Sequence, residues 1–301
     1  MIDHLVTGAG GALGSVLMRV LAEAHKTVYG LVSPHGPAPD VGKVLRVDLT
    51  DPETYRDRVF ALAPRAIIHL AAVSQVARVH DDPEYARALN VEATAHLLNL
   101  ADAIGARFIY VSTDMVFDGE SAPYDERAAT EPCSYYGRTK LEAECYALTH
   151  RRTTVLRLPL MYGLPEVSRA PTFFEQIVQA LQQQTPLRLF DDEIRTPLWL
   201  EDAARACAAL TEIEHRGVLH AGGPEALSRH AFGLRVAAAL SCDASPLIAA
   251  RRADLPSPEP RARDHSLDSS RFRELLGHAP GRSPAEALPL ALARRPHRLL
   301  S

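Results

Sequence analysis

A glycine-punctuated turn near the start of the chain constrains the fold more than any other feature. Residues 2–6 form a short apolar run that leads into Thr7-Gly8-Ala9-Gly10-Gly11-Ala12-Leu13-Gly14, and residues 15–24 follow with helical periodicity. Strand, glycine turn and helix in that order open a dinucleotide-binding unit. Glycine supplies the unusual backbone angles, lets main chain approach a pyrophosphate, and allows the helix to pack closely on the strand. The first helical turn then offers free N–H groups and a partial positive charge to phosphate oxygens. A glycine pattern alone also occurs in ordinary loops, so its place between an apolar strand and a helix is what carries the nucleotide-binding expectation.

The first half continues the same alternation. Apolar strand-like runs fall at 27–32, 43–47, 66–70, 107–111 and 154–158, separated by helical stretches at 52–62, 83–104 and 134–150. Alternation of this kind builds a parallel sheet covered on both faces. The expected class is therefore α/β, a Rossmann-type doubly wound parallel sheet with a smaller C-terminal substrate-binding lobe. The rhythm changes after Pro159: a helix is expected at 173–183, a strand at 187–190, and a return to the main sheet at 218–221. Residues 1–160, completed by about 190–223, are assigned to the dinucleotide-binding domain, and residues 161–189 and 224–301 to the smaller lobe. The substrate cleft is expected between the two, at Tyr136.

Composition narrows the functional classes. A chain of 301 residues, 47% hydrophobic, can bury one large core or one large and one smaller. A net charge of -4 provides no basic field for nucleic acid. Cys133, Cys145, Cys207 and Cys242 lack metal-site or disulfide spacing, and no apolar run is long enough to span a bilayer. These features, with no signal segment before the first strand, lead to the expectation of a cytoplasmic protein with no membrane or nucleic-acid partner. The histidines are scattered without a metal-binding pattern, so no metal site is assigned.

One further spacing suggests chemistry. Lys140, one of only three lysines, follows Tyr136 by four positions in Tyr136-Gly-Arg-Thr-Lys140. On a helix those positions share a face, which brings a phenol and a compact ammonium together, a pairing that arginine would not replace.

Taken together, the motifs resemble the extended short-chain dehydrogenase/reductase family, and within it the dTDP-4-dehydrorhamnose reductase type. The resemblance rests on Thr7-Gly8-x-x-Gly11-x-x-Gly14, Val47-Asp48-Leu-Thr, Ile68-His69-Leu-Ala71-Ala72, Asn90-Val91-x-x-Thr94 and Ser112-Thr113-Asp114-Met-Val-Phe117-Asp118-Gly119. It continues through Pro132-x-x-x-Tyr136-Gly-x-x-Lys140, Arg195-Thr-Pro197 and Ser266-Leu267-Asp268. It implies that Tyr136 is the general acid, that Lys140 lowers the Tyr136 pKa and binds the nicotinamide ribose, and that Thr113 fixes the substrate carbonyl. It places cofactor contacts at Gly8, Gly11, Ala12, Leu13, Gly14, Asp48, Leu49, Leu70, Ala71, Ala72, Val111, Tyr136 and Lys140. Asp48 is expected at the adenine, or alternatively as a cap for the helix near Pro52. Substrate contacts are implied at Ser112, Asp114 and Met115. Arg157, Arg169, Arg195 and Arg261 are candidates for a diphosphate, each with a structural ion pair as the alternative.

Two departures from the family pattern bear on ligands. The end of the second strand, Gly30-Leu31-Val32-Ser33-Pro34-His35, lacks the acidic residue that holds the ribose of NAD. NADPH is therefore favoured over NADH, which stays open, with Ser33 and His35 as candidate contacts of the 2′-phosphate. Met115 and Ala262 stand where the family often has tyrosine and proline. The expected partner is a nucleotide sugar, a homodimer is admitted, and the expected activity is NADPH-dependent ketoreduction of a 4-keto-6-deoxy sugar. Two alternatives remain: an epimerase or dehydratase on the same scaffold, and a cofactor-binding regulatory subunit like that of methionine adenosyltransferase. Cys133 is read as a packing residue.

Overall fold

The computed structural model describes residues 1–168 and 170–294. Arg169, one of the diphosphate candidates, lies outside the described residues, as do residues 295–301.

The strands β1 (His4–Thr7), β2 (Val28–Val32), β3 (Lys43–Arg46), β4 (Ala66–His69), β5 (Arg107–Thr113) and β6 (Thr153–Leu158) belong to one seven-stranded sheet. Four short strands follow, β7 (Met161–Tyr162), β8 (Leu187–Phe190), β9 (Ile194–Arg195) and β10 (Leu198–Trp199), before β11 (Gly217–His220) completes the sheet. The order is β11-β6-β5-β4-β1-β2-β3, and every pair is parallel. All residues of β1, β4 and β6 are buried, as strands covered on both faces require. From β1 the chain builds outward to β2 and β3, then returns to place β4 on the other side of β1. That reversal makes the crevice at the C-terminal ends of β1 and β4 the natural ligand position.

Helices α1 (Ala12–Glu23) and α8 (Leu200–Leu210) cover one face. Leu13, Val16, Leu17 and Leu21 share a core with Val6, Ile68, Ile109, Ala203, Ala204 and Cys207. On the other face, α2 (Arg56–Leu62), α5 (Ala93–Ile104) and α6 (Tyr135–Thr149) enclose a second core built on Leu5, Leu31, Ile67, Phe108, Tyr110 and Val155. The short helices α3 (Val76–Asp81) and α4 (Pro83–Arg87) precede α5.

The sheet agrees with the sequence reading to within one or two residues per strand, and the elements at 173–183 and 187–190 occur at the expected bounds. Two differences have local causes. The expected helix at 52–62 divides at Tyr55, whose ring is buried and whose φ of -137° is not helical. The stretch at 83–104 is interrupted by a π-turn, Ala88–Glu92, which turns Asn90 inward. Its amide accepts from Val73 N at 2.8 Å and donates to Val73 O at 3.2 Å and Thr139 Oγ1 at 3.0 Å, tying α5 and α6 to the loop after β4. Helix α8 was not anticipated, although Leu200, Ala203, Ala204, Cys207 and Leu210 line one buried face at helical spacing.

A third core lies outside the sheet. Helices α7 (Phe173–Gln183), α9 (Arg229–Leu240) and α11 (Pro284–Ala293) pack Phe174, Ile177, Phe232, Val236 and Leu288 together with Tyr162 and Trp199. The short helix α10 (Ser270–Leu276) returns to the main core through Phe272.

Candidate active site

The glycine turn forms a tight cradle at the β1–β4 crevice. Gly8 has φ +66°, and a Cβ there would lie 2.8 Å from Ala71 N. At Gly14 a Cβ would lie 2.2 Å from the Gly8 carbonyl oxygen, so the helix can sit this close only without a side chain. Gly11, by contrast, is exposed, and an added Cβ there meets only Gly8 O at 3.2 Å. Gly11 is the N-cap of α1 and supplies no side-chain cap, and no acidic residue occupies the first turn. Ala12, Leu13 and Gly14 therefore begin a helix whose N–H groups suit a phosphate.

A polar chain fixes the adjoining wall. Thr7 Oγ1 accepts from Leu70 N and Ala71 N, both at 3.2 Å, and is 2.6 Å from His69 Nδ1. His69 Nε2 is 2.9 Å from Thr94 Oγ1. Burial, assisted by the Lys140 charge, depresses the His69 pKa to about 3, so the ring is a neutral strut. Leu70, Ala71 and Ala72 follow β4 directly at the crevice. Asp48 and Leu49 follow β3, and Asp48 Oδ1 accepts from Thr50 N at 2.9 Å and Thr50 Oγ1 at 2.7 Å. Asp48 thus closes its own turn, while Asp51 caps the next helical turn. Ser33 and His35 are exposed in the loop after β2.

Strand β5 and helix α6 bring the three candidate catalytic residues together. Thr113 ends β5 and is buried, and its Oγ1 donates to Asp114 Oδ1 at 3.1 Å and accepts from Met115 N at 3.2 Å. The Tyr136 phenol lies beside the same hydroxyl. Ser134 caps α6 by accepting from Gly137 N at 3.1 Å, which sets Tyr136 in the first turn. Gly137 is required there, since a Cβ would lie 2.2 Å from Met115 O. One turn on, Lys140 is 2% exposed, donates to Val111 O at 2.8 Å and lies 4.1 Å from the Tyr110 ring centroid.

The electrostatics correct one expectation. Burial first, then the charge of Asp114, push the Tyr136 pKa well above the ordinary tyrosine value, and the nearby Thr113 hydroxyl only partly opposes them. Lys140 is not among the groups acting on the phenol, because its ammonium is turned toward Val111 O and the Tyr110 ring. Burial lowers the Lys140 pKa to about 7, with partial compensation from Glu144. The Tyr136 ring is 8% exposed and packs with Val73, Val79 and Ala86, with Met115 alongside. Glu259, from the Pro256-Ser-Pro-Glu-Pro260 connector, accepts from Tyr135 N through both carboxylate oxygens at 3.0 Å. The connector therefore rests on the N-terminus of the helix that carries the phenol.

Beside Thr113 lies a buried charge cluster. Arg195 Nε is 3.2 Å from Asp114 Oδ2, and Arg195 Nη2 is 3.3 Å from Glu193 Oε1. Glu193 also holds Arg229 at 2.7 Å and Arg261 at 3.0 Å. Burial raises its pKa, but the summed attraction of Arg229, Arg195 and Arg261 outweighs this and holds the carboxyl at about 2. For Asp114 burial prevails over Arg195 and Thr113, raising its pKa to about 6. Arg157 forms a buried ion pair with Glu144 at 2.7 Å, the structural alternative for that residue. Arg195 and Arg261 are ion-paired as well; Arg195 adjoins Asp114, and the Arg261 side chain is exposed beside Glu193. Glu193 and Arg229 were not identified from the sequence, because their importance arises only where β9, α9 and the 261 loop meet.

These residues fit a nicotinamide dinucleotide. The cradle admits main-chain approach, the α1 N-terminus is uncapped by any side chain, Lys140 presents an ammonium at the strand ends, and buried Ser112 Oγ has no partner among the described residues. Among the described residues, no group of three or more His, Cys, Asp or Glu side chains is placed to hold a metal ion. No helix among them is long and apolar enough to cross a membrane. Cys133 Sγ donates to Asp118 O at 3.3 Å within the loop before α6.

Comparison with known proteins places this geometry in a family. The family model described as RmlD substrate binding domain matches residues 2–294. The chain is 31% identical over 281 residues to the methionine adenosyltransferase 2 subunit beta of Bos taurus, covering 90% of this chain and 81% of that protein. It is 31% identical over 276 residues to a probable low-salt glycan biosynthesis reductase of Haloferax volcanii, covering 90% and 91% respectively. A crystal structure of dTDP-4-dehydrorhamnose reductase from Bacillus anthracis, in complex with NADP, has the same fold. Its TM-score is 0.86 at 19% identity, with 98% of this chain and 99% of that one covered. A cradle at the β1–β4 crevice, a Thr-Tyr-Lys cluster at the strand ends and a family match along nearly the whole described chain make this protein a member of the RmlD family of extended short-chain dehydrogenase/reductases.

Proposed function

We propose that the protein is an NADPH-dependent reductase of the 4-keto group of a nucleotide-linked 4-keto-6-deoxy sugar, with dTDP as the nucleotide. The observation that carries the reading is the placement of Thr113 at the end of β5 beside Tyr136 in the first turn of α6, with Lys140 one helical turn further along. When bound, the reduced nicotinamide supplies the hydride to the carbonyl carbon. Tyr136 gives its phenolic proton to the carbonyl oxygen, so the C=O double bond becomes a secondary alcohol. A phenol held above its ordinary pKa stays protonated at neutral pH, and Thr113 steadies both it and the substrate oxygen. Lys140, already fixed by Val111 O, turns its remaining donors to the nicotinamide ribose.

In this reading the sugar lies beside Ser112, Asp114 and Met115, and the diphosphate lies toward Arg195 and Arg261, with Arg229 joining them. The lobe formed by α7, α9 and α11 supplies the far wall. Oxidation of NADPH against a panel of dTDP-, UDP- and GDP-linked 4-keto-6-deoxy sugars tests the proposal, with turnover expected on a dTDP sugar. A second reading has a specific observation behind it: the similarity to a methionine adenosyltransferase subunit is as high as that to the glycan biosynthesis reductase. A cofactor-binding regulatory subunit would bind NADPH, reduce no sugar in the panel, and change the kinetics of a partner enzyme on mixing.

A further inference from the structure

Arg46 is the last residue of β3 and pairs in parallel register with Val32, the last residue of β2. Its Nη1 donates to three carbonyl oxygens of the loop that follows β2: Ser33 at 3.5 Å, Pro34 at 3.1 Å and Gly36 at 2.8 Å. The loop is itself turned, with Gly36 N donating to Ser33 O at 3.0 Å. It also abuts the glycine cradle, since a Cβ on Gly10 would lie 2.1 Å from the Pro37 carbonyl oxygen. The guanidinium is therefore held against the segment where dinucleotide folds anchor the adenosine ribose, which they do with a carboxylate when the 2′-hydroxyl is free.

We propose that Arg46 selects a 2′-phosphorylated adenine dinucleotide over its unphosphorylated counterpart. The inference rests on the reading that the cradle binds a nicotinamide dinucleotide. The three carbonyls fix the guanidinium plane without cancelling its charge, and no carboxylate lies within ion-pair distance of it among the described residues. One nitrogen is engaged, which leaves Nε and Nη2 as donors in a fixed fork, the geometry that suits phosphate oxygens. Residues 33–39 contain no acid to repel the anion. His35, by comparison, is an exposed ring with no hydrogen bond to another described residue. The sequence conceals this role because Arg46 lies on the next strand, and only the β2–β3 register brings it beside Ser33.

The test is the affinity for NADPH and for NADH, measured by nicotinamide fluorescence on the wild type, Arg46→Gln and Arg46→Glu. Loss of a charge-assisted contact should weaken NADPH roughly 10- to 100-fold in Arg46→Gln, with NADH affinity within about twofold. Arg46→Glu should invert the preference, and added salt should shrink the wild-type preference for this exposed site. Equal weakening of both cofactors would show that Arg46 only shapes the loop and would overturn the inference, as would NADPH binding unchanged by either substitution. A wild type that prefers NADH would overturn it while leaving the cradle reading intact. A wild type that binds neither cofactor would remove both.

Discussion

Replacing Lys140 by methionine should change how the stability of the protein depends on pH. Lys140 is 2% exposed, and burial brings its pKa from the ordinary lysine value of 10.5 down to about 7. Between those values the unfolded chain binds a proton at this position that the folded chain largely does not. Stability conferred by this site is therefore fully present above about pH 10.5, falls as the pH is lowered, and reaches its minimum near pH 7. One proton contributes about 1.4 kcal/mol per pH unit, so the interval from about pH 7.5 to about pH 9.5 should add about 2 to 3 kcal/mol to the wild type. Methionine keeps the unbranched length and loses the charge, so Lys140→Met should lack this component. Urea unfolding of both proteins at several pH values gives the difference directly, and the other titrating groups cancel in it. The wild type should gain on the variant by about 2 to 3 kcal/mol across the interval. A difference that stays flat with pH would show that the buried ammonium keeps its ordinary pKa and would refute the reasoning.

Two further substitutions probe the scaffold. Gly14→Ala puts a methyl group 2.2 Å from Gly8 O, where backbone and not a flexible side chain must yield. It should cost about 1 to 3 kcal/mol in thermal or urea unfolding and weaken dinucleotide binding, and unchanged values of both would contradict the cradle. Glu144→Gln leaves the Arg157 guanidinium buried without its counter-charge, and unfolding should show a loss of about 3 to 5 kcal/mol.

The sheet was legible because its central strands are buried on both faces and read as apolar runs, and because glycine had no substitute at Gly8 or Gly14. The Tyr136–Lys140 dyad was legible for a similar reason, since helical spacing alone puts both on one face. What escaped was whatever depends on contacts between distant segments. Nothing local to Glu193 or Arg229 announces a buried carboxylate shared by three arginines. The direction of the Lys140 ammonium was misjudged because Val111 O competes for it at 2.8 Å, and spacing along α6 says nothing about acceptors on β5. The π-turn at Ala88–Glu92 follows from Asn90 bonding Val73, a partner 17 residues away in sequence.

If Tyr136 protonates a sugar carbonyl while the cradle holds NADPH independently of it, turnover and cofactor binding should separate in a single variant. The most direct measurement compares wild type and Tyr136→Phe for NADPH binding and for NADPH oxidation with the keto sugar that the wild type reduces. Tyr136→Phe should lose about 10² to 10⁴ in turnover, with NADPH affinity nearly unchanged, because the ring and its packing against Val73 and Val79 remain. Full turnover in Tyr136→Phe, or NADPH binding by the wild type with no keto sugar reduced, would contradict it.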